Sequence, residues 1–325
     1  MNKILSYTFI AGFLMVASLI NPTQSKAAFP ENPIKLLIGF GAGGGTDTIG
    51  RKIAIEMEKA LGKPVVVINK PGGGGLVSWK ALAAAKPDGY TIAIFLPLNA
   101  SIQKHLKTSK AWIDPVKDIE FLGMVNADSW GIAVNAKQPY SDIAGFVEWA
   151  KTNPGAKVSD GGPATAYHWA WESFQERYGI KLKTVTYKGG TSGGLKAVAG
   201  GEVVAAGSGA PEADSMSRAG LVKMLGIAAE KRNSAVNNVP TFKEQGFDFI
   251  FGPTRGFAAP AGTPPAIVKI LAAAVKKAYD SKSYQTHLTK SGQGGWYLGP
   301  EAGKSYIRDT DAKFKDLIDK AGMLR

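Results

Sequence analysis

The chain has 325 residues, of which 45% are hydrophobic, a formal net charge of +13 and no cysteine. This length suits about two domains with a sizeable buried core, and the missing cysteine excludes disulfides, thiolate metal sites and a cysteine nucleophile. No basic cluster interleaved with aromatic residues indicates nucleic-acid binding. The positive charge either attracts small anions or serves solubility.

The N-terminal segment has the pattern of a secretory signal peptide. Lys3 precedes an apolar run at 9–20, and small residues follow at 25–27. The apolar run is short for a membrane span. We therefore predict cleavage after Ala27 and a soluble periplasmic protein of residues 28–325, with an uncleaved anchor as the alternative.

An apolar segment, a glycine-rich turn and a helix start follow one another in residues 34–52. The apolar residues predict a buried strand. The glycines between 41 and 45 allow positive φ and close approach of a ligand, and Thr46 is a good helix N-cap. Free backbone N–H groups and the positive end of a helix then converge on one point. The stretch predicts an anion site built from backbone.

The common nucleotide motifs do not fit this chain. In a dinucleotide fingerprint Thr46 would occupy the last glycine position, and the next strand ends at Asn69 without the acid that binds ribose. Segment 299–305 has three residues rather than four between its glycines, and no predicted strand precedes it, so it is not a P-loop. We interpret that segment as the start of the last helix.

Strand-like and helix-like segments alternate along the chain. Strands are predicted at 34–40, 65–68, 91–95, 121–125, 131–134, 184–187, 203–206 and 224–228. Helices are predicted after Thr46, Gly75, Ser141, Ala164, Gly193 and Thr263, and at 300–321. This alternation predicts an α/β protein whose sheets are covered by helices on both faces.

Short motifs rich in glycine and proline run from residue 43 to residue 264. They are Gly-Gly-Gly-Thr-Asp at 43–47, Asn-Lys-Pro-Gly-Gly-Gly-Gly at 69–75, Lys-Pro-Asp-Gly-Tyr-Thr at 86–91, Val-Thr-Tyr-Lys-Gly-Gly at 185–190, Val-Pro-Thr to Glu-Gln-Gly at 239–246, and Ala-Ala-Pro-Ala-Gly-Thr-Pro at 258–264. Their order and spacing resemble those of the substrate-binding receptors of tripartite tricarboxylate transporters, also called Bug-type proteins. The resemblance covers nearly the whole mature chain.

The resemblance implies a type II periplasmic binding protein, a two-lobed Venus-flytrap receptor in which each lobe is a mixed sheet flanked by helices. It implies a first lobe from residues 28–125 and 254–325, and a second lobe from 126–253. Such a receptor closes on a small organic carboxylate and delivers it to the membrane subunits of the transporter. We accordingly expect a monomer that is not an enzyme, with no cofactor, no metal and no nucleic-acid partner.

Candidate ligand-binding residues lie at strand ends, where open α/β sheets bind ligands. In the first lobe they are Phe40, Gly43, Gly44, Gly45, Thr46, Asp47, Gly74, Gly75 and Asn99. In the second lobe they are Gly162, Ala164, Thr165, His168, Tyr187 and Ser208. The alternative for His168 is a helix-surface pair with Glu172. The helical stripe that starts at Tyr167 is interpreted as core.

Two departures from the family pattern bear on the ligand. Ser208 stands where many relatives have an aspartate, and Leu96 and Leu98 occupy a turn that is often more polar. An ammonium group that enters a cleft without an acid partner is costly. We therefore expect a carboxylate without an essential ammonium group, unless Asp47 or Asp128 faces the cleft. Otherwise Asp128 is expected to be solvated or structural.

The alternative function is a secreted serine hydrolase. Ser192 lies in a G-x-S-x-G match at 190–194, and the order Ser192, Asp248, His287 is one that hydrolases use. Glycine is so frequent in this chain that such a match arises easily by chance. The three histidines are scattered and form no metal-binding motif.

Overall fold

The structure is a computed structural model that describes residues 29–323 except 111, 164 and 189. The predicted signal peptide and the candidate site residue Ala164 therefore lie outside the described residues. No helix within the described ranges is long and apolar enough to cross a membrane.

Two mixed sheets organise the described chain, which confirms the predicted α/β class. The first sheet has the spatial order β2 (Val65–Asn69), β1 (Ile34–Ile38), β3 (Thr91–Phe95), β10 (Thr254–Pro260), β4 (Ile119–Ala127) and β11 (Gly295–Leu298). The second has the order β7 (Leu182–Thr186), β6 (Ala156–Asp160), β8 (Ala205–Ser208), β5 (Gly131–Asn135) and β9 (Val222–Ile227). Strands β1, β2 and β3 are parallel, whereas β10 is antiparallel to β3 and β4. Likewise β6 is parallel to β7 and β8, whereas β5 is antiparallel to β8 and β9.

Helices connect these strands. They are α1 (Gly45–Leu61), α2 (Leu76–Ala83), α3 (Pro97–His105), α4 (Ile143–Thr152), α5 (Ala166–Tyr178), α6 (Thr191–Ala199), α7 (Ala210–Arg218), α8 (Pro265–Asp280), α9 (Lys282–Ser291) and α10 (Pro300–Lys320). Helix α1 packs against α8 and α9, and α3 packs against α10.

Strands β6, β10 and β11 and helices α3, α7 and α9 are absent from the sequence predictions. β6 has a single β-branched residue, Val158, and β10 contains Gly256 and Pro260, so neither has the composition that favours strands. Helix α3 begins at Pro97, a residue that suits the first helical turn, although this segment is predicted as a turn.

The start of α1 differs from the prediction by one residue. The helix begins at Gly45 with Gly44 as its N-cap, so the prediction of Thr46 as the N-cap is wrong. Gly50 then allows α1 to approach the sheet closely, because a Cβ at this position would lie 2.6 Å from Cδ1 of Ile38 and of Ile94. This packing holds the glycine-rich loop against the carboxyl ends of β1 and β3.

The chain passes between the two sheets twice, and the two passages are hydrogen-bonded to each other. The backbone N–H of Asp128 donates to Pro253 O at 3.0 Å, and that of Trp130 donates to Phe251 O at 2.8 Å. A Cβ on Gly252 would overlap the carbonyl of Asp128, so the backbones approach too closely for a side chain there. We call 127–130 and 251–254 the crossing segments.

An apolar contact also joins the sequence-distant parts of the fold. The Phe314 ring of α10 lies 6.1 Å from the Phe251 ring and 6.4 Å from the Trp169 ring of α5. Leu98 and Ile102 of α3 belong to the same buried cluster. Helices that flank the first sheet therefore also contribute to the core of the second.

Candidate functional site

Asp47 fixes the first glycine-rich loop from inside. Its carboxylate is 2% exposed and accepts hydrogen bonds from Gly43 N (2.9 Å), Arg51 Nε (2.9 Å) and Asn69 Nδ2 (2.8 Å). Burial raises the pKa of Asp47, but the hydrogen bonds from Arg51 and Asn69 outweigh burial and leave the pKa lowered. Asp47 therefore positions the loop, and its oxygens are already occupied.

The same loop presents unused donors to solvent. Residues 41–44 are exposed, and Gly43 has a φ of 82°. The first N–H groups of a helix have no acceptor within the helix, and those of Gly45 and Thr46 have no backbone or side-chain acceptor among the described residues. These donors lie at the positive end of a 17-residue helix, at the position where the sequence predicts an anion site.

The second glycine-rich loop adjoins the first. A Cβ on Gly39 would lie 2.6 Å from Gly75 Cα, so the two loops touch through backbone. Asn99 Nδ2 donates to Gly74 O at 3.3 Å. Asn69 Nδ2 also donates to the carbonyl of half-buried Phe40, at 3.0 Å. The structure thus brings the candidates of the first lobe together on one edge of the first sheet.

Arg255 lies beside the first glycine-rich loop and is a buried charged residue that the sequence prediction missed. Its side chain is only 7% exposed. Nε donates to Thr46 Oγ1 at 2.9 Å, and Nη1 donates to Asn126 Oδ1 and Asp128 Oδ2. Burial lowers the pKa of Arg255, but the Asp128 carboxylate outweighs burial and leaves the pKa raised. The guanidinium is therefore a fixed positive charge at the start of α1.

Asp128 is engaged in the same way as Asp47. Its Oδ1 accepts from Asn126 Nδ2 at 2.8 Å and from Gly294 N at 3.0 Å, and its Oδ2 accepts from Arg255. Asp128 therefore holds Arg255 and the crossing segment in place, as the structural alternative expects.

A buried aspartate also fixes the loop that follows β6. Asp160 is 2% exposed and accepts from Gly162 N (3.0 Å), Thr186 Oγ1 (2.8 Å) and the His168 ring at Nδ1 (2.5 Å). Burial raises the pKa of Asp160, but the bonds from His168 and Thr186 outweigh it and the pKa is lowered. The Thr165 hydroxyl donates back to Gly162 O at 2.8 Å. Thr165 and Gly162 thus shape this loop.

His168 is buried rather than on the helix surface. Its side chain is 8% exposed, and Nε2 lies 3.9 Å from Glu172 Oε1. The bond to Asp160 holds the His168 ring next to the loop that follows β6. The alternative of a helix-surface pair with Glu172 is therefore wrong, because the ring is buried and bonds Asp160, while ligand contact by His168 stays a prediction.

Two side chains of the second sheet's helices face Arg255. Half-buried Tyr167 and exposed Glu212 both interact electrostatically with Arg255 and Asp128. Water reaches Glu212, yet the surrounding walls desolvate its carboxyl enough to raise its pKa. Burial raises the pKa of Tyr167 as well, so its phenol stays neutral. Tyr167 packs against the edge of the predicted core stripe, in which Trp171 and Phe174 are fully buried as predicted.

The remaining candidates of the second lobe are Ser208 and Tyr187, and neither contacts the loop that follows β6 in the way that Thr165 and His168 do. Ser208 is fully buried at the end of β8, and its Oγ has no hydrogen-bond partner among the described residues. The Tyr187 side chain packs with residues of α6, including Leu195 and Val198, and bonds Glu202. The structure does not bring Tyr187 to the group formed by Tyr167, Glu212 and Arg255.

The residues of the hydrolase alternative do not form a triad. Ser192 lies in the first turn of α6. His287 Nε2 lies 3.1 Å from Gln293 Oε1, and Asp248 pairs with Arg177 at 3.0 Å. Asp248 and His287 are thus engaged with other side chains, and nothing in this arrangement supports hydrolysis. No group of three metal-ligating side chains is found within the described ranges.

A cavity of about 990 Å³ lies toward the β11 edge of the first sheet, beyond the crossing segments. Residues of α9, α10 and the crossing segments line it, including Thr289, Phe314 and Phe251. Leu98 and Asp128 line this cavity too, but none of the described candidate ligand-binding residues does. We call it the rear cavity.

Comparison with known proteins gives consistent matches over most of the chain. The family described as "Tripartite tricarboxylate transporter family receptor" matches residues 49–323. A Cupriavidus necator protein described as "UPF0065 protein in gbd 5'region" is 34% identical over 94% of this chain and 92% of its own length. A solved structure described as a periplasmic transporter is 30% identical, with a TM-score of 0.80 over 91% of this chain and 99% of that chain. MatC from Rhodopseudomonas palustris with bound malate is 27% identical, with a TM-score of 0.75 over 89% of this chain and 100% of that chain.

Proposed function

Because this chain belongs to the family of tripartite tricarboxylate transporter receptors, we propose that it captures a small organic carboxylate between its two lobes and delivers it to the membrane subunits of such a transporter. One observation carries the choice of ligand. The backbone donors at the start of α1 and the buried Arg255 converge on one point. That point suits a carboxylate.

The strength of such a site is adequate for a receptor. A hydrogen bond to a charged group contributes about 1.5–3 kcal/mol. A micromolar dissociation constant requires about 8 kcal/mol. Several such bonds, with closure of the lobes around the ligand, supply this amount.

The ligand class follows from the charges around the site. Both oxygens of Asp47 and both oxygens of Asp128 already accept hydrogen bonds from the protein, which makes either carboxylate a poorer partner for an ammonium group. The related protein MatC has malate bound in its structure. A di- or hydroxycarboxylate without an ammonium group therefore fits best. Glu212 is more exposed to water than Asp47 or Asp128, and it is the main rival partner for an ammonium group.

The remaining parts of the proposal concern where the protein is located, how its lobes are divided and whether it transforms its ligand. The signal-peptide pattern supports export and cleavage after Ala27, which leaves a soluble periplasmic monomer. Residues 28–125 and 254–325 would form one lobe and 126–253 the other, with the crossing segments as the hinge. The protein would release its ligand chemically unchanged, as a receptor rather than an enzyme.

Calorimetric titration with matched acids tests the ligand class, after a thermal-shift screen of carboxylates and amino acids. We expect succinate to bind more tightly than aspartate, and glutarate more tightly than glutamate. Gly44→Val should abolish most of this binding. Gly44 has a φ of −75°, and the nearest atom to an added Cβ is 3.5 Å away, so valine fits the backbone and projects at the donors. Unchanged affinity in folded Gly44→Val protein would place the ligand elsewhere.

A further inference from the structure

One nitrogen of the Arg255 guanidinium is not engaged by the protein side chains around it. Nε and Nη1 are bound by Thr46, Asn126 and Asp128, whereas Nη2 has no hydrogen-bond partner among the described residues. The side chain is nine-tenths buried. Nη2 is not among the buried polar atoms that lack a partner, so it is open to solvent and free to donate to an acceptor that enters from outside the protein.

The free nitrogen lies beside the first turn of α1. A Cβ on Gly45 would lie 3.7 Å from Arg255 Nη2 and 3.2 Å from Gln293 Nε2. A side chain at position 45 would therefore occupy the space between the helix start and the guanidinium. Glycine leaves that space open for the oxygens of a ligand.

The guanidinium is also held in a fixed orientation. Asp128 accepts from Arg255, Asn126 and Gly294 N, and Thr46 contacts Nε. Such preorganisation reduces the entropy that binding would otherwise cost. The negative charge of Asp128 offsets much of the positive charge of Arg255. The directional hydrogen bond from Nη2, rather than long-range attraction, therefore discriminates between ligands.

We propose that Arg255 is a specificity-determining residue that donates from Nη2 to one oxygen of the ligand's carboxylate while the backbone N–H groups of Gly45 and Thr46 hold the other. This inference rests on the proposed function and narrows it. The ligand must place a planar anion with two acceptor oxygens against α1. A half-amide such as succinamate satisfies this only through its one remaining carboxylate.

Variants of Arg255 test the inference by calorimetry with succinate and L-malate. Arg255→Lys keeps a positive charge near Asp128 but loses the planar fork. The double variant Arg255→Gln/Asp128→Asn removes both charges together and leaves no unpaired buried ion. We expect both to bind at least about tenfold more weakly than the wild type. Arg177→Gln, an exposed arginine paired with Asp248, is the matched control and should bind normally.

Each outcome decides a separate question. Wild-type protein that binds no carboxylate overturns the proposed function itself. Wild-type binding with affinities within about twofold in both folded Arg255 variants overturns only the role of Arg255. Melting curves identify folded variants.

A crystal structure of the wild-type complex with succinate decides the point without any variant. A carboxylate oxygen within about 3.2 Å of Arg255 Nη2 supports the inference. A carboxylate bound elsewhere in the cleft, with Nη2 bonded to protein alone, overturns it.

Discussion

His168 Nδ1 lies 2.5 Å from Asp160 Oδ2, and Asp160 Oδ1 in turn accepts the backbone N–H of Gly162. Asp47 plays the same part in the first lobe, where it accepts the N–H of Gly43. Each glycine-rich loop is therefore fixed by one buried aspartate, and each aspartate has a basic partner on the helix that follows the loop. The flexibility of glycine is limited by these bonds, so the loops face the cleft in a defined shape.

Removal of Asp160 should destabilise the fold. Asp160→Ala leaves buried His168 and Gly162 N without their acceptor, so we expect the free energy of unfolding to fall by about 3–5 kcal/mol. Urea denaturation measures the change. Asp248→Ala breaks an ion pair in which the aspartate is 77% exposed, and it should cost less than about 1 kcal/mol. Equal losses in the two variants would contradict a special role for Asp160.

The Asp47 hydrogen bonds should make the stability sensitive to acid. The folded pKa of Asp47 is lowered from 3.8. The contribution is therefore fully present above the unfolded pKa and is lost as the pH falls through the lower folded value. Melting temperatures measured from near pH 6 down to near pH 2.5 should show a smaller acid loss in Asp47→Asn than in wild type. Parallel profiles for the two proteins would argue against this assignment.

Carboxylate binding should strengthen at mildly acidic pH. Desolvation raises the pKa of Glu212, which faces Tyr167, Arg255 and Asp128. More Glu212 is neutral near pH 5 than near pH 7.5, and a neutral group does not repel the anion. The ratio of affinities at these two pH values should shrink toward unity in Glu212→Gln. It should persist in Glu148→Gln, a control at an exposed helix position.

A side chain at position 252 should force the crossing segments apart. In Gly252→Ala the new Cβ would overlap the carbonyl of Asp128, so we expect a loss of about 1–3 kcal/mol or more in unfolding free energy. Gly41→Ala has no atom within 4 Å of the added Cβ and should change stability by no more than about 0.5 kcal/mol. A neutral Gly252→Ala would mean that the two segments can separate freely.

The strand, glycine-rich loop and helix start around residues 39–47 could be predicted from sequence because their signals are local. The apolar strand, the glycines and the helix start follow each other within a short stretch, and each has a known backbone preference. The alternation of strands and helices likewise predicted both sheets. The elements that were missed, such as β6 and α3, are short and lack the usual composition, and their form depends on the neighbours they pack against.

Arg255 could not be found in the same way. It is separated by 209 residues from Thr46 and by 129 from Asn126 along the chain. Only the folded arrangement of β10, β4 and α1 joins them. The link from Asp47 to Arg51, by contrast, is an i,i+4 pair that a helical pattern can suggest. The hydrogen bond between Asp47 and Asn69 depends on the pairing of β1 with β2, so it could not be predicted from the sequence.

The crossing segments are bonded to each other at Asp128 and Trp130, and both of them line the rear cavity. If the two lobes rotate about these segments as we propose, the rear cavity changes shape together with the cleft. A molecule that binds the rear cavity more tightly in one of the two arrangements would then change the affinity for the ligand without touching it.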